Sequence, residues 1–159
     1  MENSNSNVLS IANYVFTTEK NMSHKKLQKL CFYISSFSLA LTHIDLINDD
    51  FEAWTHGPVC KKLFEVCKTD VKNILKYKTN TINENDKELI DIVLKIYGSY
   101  TGEELEILTT SEEPWNEARC GLEYWEMSNN KIDKSTMEAY YFQKIKAELK
   151  KEYVKKRGN

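Results

Sequence analysis

Apolar residues recur at three- and four-residue steps over most of the chain, and short polar clusters holding Gly, Pro or Asn separate the periodic stretches. Val8, Ile11, Ala12, Val15 and Phe16 predict a first helix from Val8 to about Lys20, after an Asn/Ser-rich leader able to supply its N-cap. Ser23 is a good N-cap for a second helix, in which Leu27, Leu30, Cys31, Ile34, Ser38 and Leu41 keep one stripe. Phe32, Tyr33 and Phe37 broaden that stripe, and so wide an apolar face implies a central helix. The polar run Asp45 to Asp50 reads as a loop and Phe51 to Trp54 as a short extended piece. Pro58 is placed at the first position of a helix from Val59 to about Lys68 that turns Leu63, Phe64 and Cys67 inward.

A polar connection, Thr69 to Asn83, leads to Asn85 and Glu88, which match the spacing of a capping box. The helix they open carries Leu89, Ile92, Val93 and Ile96, and Gly98 ends it. Thr101 and Glu104 form a second capping-box match, Pro114 opens a short helix from Trp115 to Cys120 that Gly121 closes, and a last helix runs from Asp133 with Met137, Tyr140, Tyr141, Ile145 and Leu149 at helical spacing. The sum is an all-α fold of about seven helices, two of them short, with one short β-ribbon at Phe51 to Trp54. No repeat or linker divides the chain, so residues 1–159 are expected to form one domain with a charged helix end from about Lys144.

Composition narrows the class. A chain of 159 residues buries roughly 70% of the surface it exposes when unfolded, enough for a core without staples. The most apolar stretch, Cys31 to Leu41, is interrupted by three serines, so no membrane span is expected; the first residues lack an export signal, and the expected location is the cytoplasm. Free thiols are expected for Cys31, Cys60, Cys67 and Cys120, with Cys31 in the core. Cys60 and Cys67 lie too far apart for paired zinc ligands even with His56 nearby, so neither a metal nor a cofactor is expected.

Charge is uneven along the chain. Residues 83–126 hold twelve acids against three bases, a net of −9, whereas the stretch from Lys144 holds seven bases against two acids, a net of +5. An acidic body repels a phosphate backbone, so nucleic acid is disfavoured and a basic protein is the better partner. No phosphate loop, zinc-protease motif or nucleophile elbow is present, and no catalytic residue is assigned. Glu52 and Arg119 lie among Phe51, Trp54 and Trp115, and a buried or half-buried ion pair between them is expected.

Several segments then carry a likeness. Ile11-Ala12-Asn13-Tyr14 and Leu27-Gln28-Lys29-Leu30-Cys31-Phe32-Tyr33 are similar to an opening helix and an L-x-K-L-x-Y helix; Phe51 to Val59 is similar to F-x-A-W-x-x-G-P-V, with Glu52, Trp54, Gly57 and Pro58 in place. Leu108-Thr109-Thr110, Pro114-Trp115 and Ala118-Arg119 resemble L-T-H and P-W-x-x-A-R elements, and Tyr141-Phe142 resembles a closing Y-F pair. Together they resemble the Panacea domain family, which includes SocA-like antitoxins and phage-associated GepA proteins. Thr110 departs from the usual His and Ser35 from the common Gln.

The resemblance implies a non-enzymatic protein that neutralises a cognate toxin by direct binding or hands it to a ClpXP-type protease. The alternative is a phage or mobile-element protein that inhibits a host defence system through the same scaffold. Exposed acids outside the motifs, Glu103, Glu104 and Glu106, are the candidate partner surface with the last helix. Two other classes remain: a thiol enzyme using Cys60, Cys67 or Cys120, which requires a depressed thiol pKa, and a regulator binding DNA through the basic last helix.

Overall fold

A helix with apolar residues on every side must be enclosed, and the chain is arranged around one such helix. The computed structural model describes residues 7–158, so the leader and the N-cap expected there lie outside the described residues. The elements are α1 (Asn7–Thr18), α2 (His24–Thr42), β1 (Glu52–Trp54), β2 (Gly57–Val59), α3 (Lys61–Cys67), a 3-10 turn (Val71–Lys76), α4 (Glu84–Tyr97), α5 (Gly102–Thr110), α6 (Glu113–Ala118) and α7 (Lys134–Arg157). The fold is mostly α-helical with a two-stranded antiparallel ribbon, and no helix is long and apolar enough to cross a membrane among the described residues.

Helix α2 is the axis. Ser23 caps it by accepting from the Lys26 amide at 3.1 Å, and every side chain from Leu27 to Ala40 is buried. Helices α1, α4, α5 and α7 and the ribbon pack against it. The serines within its apolar stretch are accommodated because their hydroxyls find acceptors: Ser36 donates to the Phe32 carbonyl at 2.9 Å and Ser38 to that of Ser35 at 2.8 Å. His43 ends the helix in the left-handed region (φ 63°), its amide returning to the Leu39 carbonyl.

Helix starts follow side-chain caps more closely than they follow prolines. Thr101 and Glu104 complete the expected capping box, and Asp133 caps α7 by accepting from the Thr136 amide. Helix α4 begins two residues earlier than its expected box, because Asn83 accepts from the Asp86 amide at 2.8 Å. Pro58 does not open a helix. It lies in β2 opposite Ala53, and Cys60 is the N-cap of α3, which starts at Lys61. The placement suits a residue with no N–H: the Ala53 carbonyl opposite accepts instead from the Arg119 guanidinium at 2.9 Å, so the ribbon asks no donor of Pro58 there. The Thr69 to Asn83 connection contains the 3-10 turn, capped by Asp70.

The core is aromatic at its centre. The Tyr33 ring stacks on Tyr97 with centroids 3.9 Å apart, and Phe32, Phe37 and Tyr141 surround them, mostly edge to face. Within this packing lies a carboxylate, Glu112, only 3% exposed. It accepts from the Tyr33 and Tyr141 hydroxyls, each at 2.7 Å, and from the Lys144 ammonium. Burial, and then the Glu112 charge, push both phenols well above their ordinary pKa of 10.0, so they stay neutral donors at physiological pH. Glu112→Ala strands two buried hydroxyls and is expected to cost about 3–5 kcal/mol in urea unfolding; a loss below about 1 kcal/mol would show that this hub is dispensable.

Candidate functional site

The segments that carry the family likeness converge on the β1–β2 ribbon. From α2, the Gln28 amide makes two hydrogen bonds to the Cys60 backbone, accepting from its N–H at 2.9 Å and donating to its carbonyl at 3.2 Å, which fixes the exit of β2. One residue on, Lys29 runs under Gly57. A Cβ at Gly57 would lie 2.7 Å from Lys29 Cε and 3.1 Å from Thr109 Oγ1, and Gly57 has φ +110°, so the position requires glycine on both counts. Leu27 and Leu30, on the other faces of the same turn, are fully buried.

Lys29 is 2% exposed, and among the described residues its ammonium has neither a hydrogen bond nor an ion pair within range. Desolvation by burial lowers its pKa to about 8; the Glu106 charge opposes this and Lys25 adds to it. Glu106 itself is held elsewhere, Oε1 on Lys25 at 2.7 Å and Oε2 on His56 at 3.0 Å. Burial works against the charge on Glu106, but these two partners outweigh it and keep the carboxyl below its ordinary pKa.

From the other edge, α6 clamps β1. Pro114 takes the first turn of α6 as expected, and Trp115 donates from Nε1 to the Trp54 carbonyl at 2.9 Å. Arg119, 4% exposed, donates to the carbonyls of Ala53 (2.9 Å), Glu123 (3.1 Å), Tyr124 (3.4 Å) and Glu126 (2.5 Å), and its guanidinium lies 4.9 Å from the Trp115 ring. The expected Glu52–Arg119 ion pair is absent among the described residues. Glu52 accepts from its neighbour Trp54 Nε1 at 2.8 Å, and Arg119 is satisfied by backbone oxygens, whose partial charges are concentrated by the tight turn at residues 119–126.

The result is a ledge. The loop after α6, tied from beneath by Arg119, presents Tyr124, Trp125 and Met127 at 76%, 62% and 91% exposure. Beside it an open groove of about 670 Å³ runs along the ribbon, lined by Trp54, His56, Val59, Lys61 and Met127 among others.

The glutamates expected to meet a partner are differently occupied. Glu104 is spent on the Thr101 capping box, Glu106 on Lys25 and His56, and Glu103 is exposed with Lys25 at 3.7 Å. Thr110 donates to the Glu106 carbonyl at 2.7 Å, a helix-internal bond. Ser35 joins a half-buried group in which Lys134 meets Asp45 at 2.6 Å and Ser35 donates to Asp45 at 2.8 Å. Cys31, Cys60 and Cys67 are buried, and burial raises all three thiols, Cys67 to about 11, contrary to what a thiol nucleophile at Cys60 or Cys67 requires. No group of His, Cys, Asp and Glu suited to a metal occurs among the described residues. Gln28, Glu112 and the Asp45–Lys134 pair escape a sequence reading because no periodicity marks a polar residue whose partner is distant in the chain.

The model of the family Antitoxin SocA-like, Panacea domain matches residues 27–116, more than half of the chain, and the chain belongs to that family. No curated protein and no solved structure matches it. Arg119 and Tyr141 lie outside the matched span but reach back into it, through Ala53 and through Glu112.

Two substitutions probe this frame. The native pKa of Lys29, about 8, lies below its ordinary 10.5, so its ionised form burdens the fold below pH 8. Between about 8 and 10.5 the native lysine has lost its proton and the unfolded one has not, so this contribution to stability rises with pH. Lys29→Met is therefore expected to gain about 1–4 kcal/mol at neutral pH, a margin that shrinks across that window in pH-resolved melts; a less stable variant at neutral pH would refute the unpaired-ammonium account. Arg119→Met, by contrast, leaves four carbonyls without their donor and is expected to cost about 2–4 kcal/mol and to open the 119–130 loop to limited proteolysis.

Proposed function

We propose that this Panacea-family chain is an antitoxin that neutralises a cognate protein toxin by binding it directly, without enzymatic chemistry of its own, in the cytoplasm. The observation that carries the reading is the ledge. Tyr, Trp and Met are enriched where proteins meet, and a loop already fixed by Arg119 loses little freedom when it is covered. Glu117, Glu123 and Glu126 are exposed on the same stretch and favour a partner with a basic rim. Glu103, exposed on α5, extends that acidic character, while Glu104 and Glu106 act through the helix cap and the His56 contact. A toxin seated there is blocked, and passing it to a ClpXP-type protease adds degradation to the same contact.

Growth of cells expressing each neighbouring small open reading frame, with and without this chain, tests the reading. One neighbour is expected to be toxic and to be rescued. Trp125→Ala is expected to weaken co-purification of that toxin by roughly 30-fold or more, as for an interface hot spot, while the melting temperature stays unchanged. Rescue and binding unaffected by Trp125→Ala with Met127→Asp would remove the ledge from the contact. If no neighbour is toxic, the antitoxin reading fails and inhibition of a host defence system takes its place.

A further inference from the structure

Helix α7 outruns the body it packs on. Its first half lies against α2 and α6, but from Lys146 to Arg157 every side chain described is exposed, a length of about 18 Å by helix rise. A projecting helical end of that size is marginal in water without something to pack on. Where it leaves the body, α7 forms one wall of an apolar groove of about 480 Å³ whose other walls are α2, α4 and α5. Leu41, Ile92, Ile96 and Tyr100 line it from the body and Leu149, 65% exposed, from α7.

The polar rim of this groove is acidic in effect. Glu148 and Glu152 line it, and the charge of the lysine there, Lys144, is taken up by the buried Glu112. The part of the chain that complements the rim is the end of α7 itself. Lys150 and Lys151 lie between the two acids and Lys155 and Lys156 follow them, and Glu148, Lys151, Glu152 and Lys155 fall at i, i+3, i+4 and i+7, on one face. Laid antiparallel across a two-fold axis between positions 151 and 152, two copies of this face bring Glu148 opposite Lys155 of the second copy and Glu152 opposite Lys151 of the second copy. All four contacts that the two-fold generates are then of opposite sign. The Lys151–Glu148 pair within one chain, 3.4 Å apart and largely exposed, is weak enough to be exchanged.

We propose that the groove and the projecting end of α7 form an isologous interface, through which two copies of this chain pair antiparallel, each placing its basic helix end against the other's acidic-rimmed groove. The contact lies on α7, α4 and α2, apart from the ledge formed by the loop after α6, and does not depend on the identity of any other partner.

Sedimentation equilibrium of the full chain across a concentration series tests it. The wild type is expected to approach the dimer mass and to dissociate as salt is added. Glu148→Lys with Glu152→Lys is expected to raise the dimer Kd about tenfold or more, and adding Lys151→Glu with Lys155→Glu to the same chain to restore it, since all opposite-sign contacts return. Leu149→Asp, at an exposed position, is expected to give a monomer with an unchanged circular dichroism melt. A wild type that stays monomeric at every concentration overturns the proposal, as does a dimer indifferent to both the charge reversal and Leu149→Asp. A monomer whose Leu149→Asp variant loses binding to the toxin overturns it as well, and assigns the groove to a foreign chain.

Discussion

Burial of α2 on every side from Leu27 to Ala40 is the constraint on which the rest of the structure turns. A helix enclosed on every side cannot leave its polar side chains to water, so each must find a partner on whatever packs against it, and each such partner fixes an element in place. Gln28 fixes the exit of the ribbon, Tyr33 reaches Glu112 at the start of α6, and Ser35 reaches Asp45 in the loop that returns to the ribbon. Lys29 is the exception, because it is buried beneath Gly57 with no hydrogen bond among the described residues. That ammonium weakens the fold at neutral pH, and its presence sets Gly57 apart as the one place in the ribbon where no side chain fits.

The same constraint explains why family membership and partner identity separate so cleanly. Residues of the family-like motifs, Lys29, Trp54, Gly57, Trp115 and, beyond the matched span, Arg119, are engaged with one another or with the backbone around the ribbon. They determine that a loop is held at a fixed place and height, and they leave open what that loop displays. On the proposed reading, function resides in the displayed side chains, here Tyr124, Trp125 and Met127, which are exposed on that frame.

Electrostatic bookkeeping changes on folding for a related reason. Read along the chain, residues 83–126 form a strongly acidic block. In the folded protein that block is partly spent: Glu112 is buried under two tyrosines and a lysine, Glu104 caps a helix, and Glu106 holds Lys25 and His56. The acids left at the surface lie on α4, at Glu103 of α5, and on α6 and the loop after it, while the acids and bases of α7 stand side by side on one projecting helix, where they complement a copy of themselves.

What the sequence determined alone is the part of the structure written at short range. Helical periodicity and side-chain caps such as Ser23, Thr101 with Glu104, and Asp133 act within a few residues, so the helix count, the central helix and most helix starts were legible, as was the ribbon near Trp54. Family resemblance was legible for the same reason, since its motifs are local. Tertiary structure decided everything that depends on which distant groups meet. Pro58 is tolerated as a strand residue because Arg119 supplies the donor that the Ala53 carbonyl opposite it needs; Arg119 took backbone carbonyls instead of Glu52 because a turn gathers them around it; and Glu112, with nothing local to mark it, became the buried hub because Tyr33 and Tyr141 converge there. A buried polar group is satisfied by whatever the fold brings within about 3 Å, and that distance bears no relation to separation along the chain.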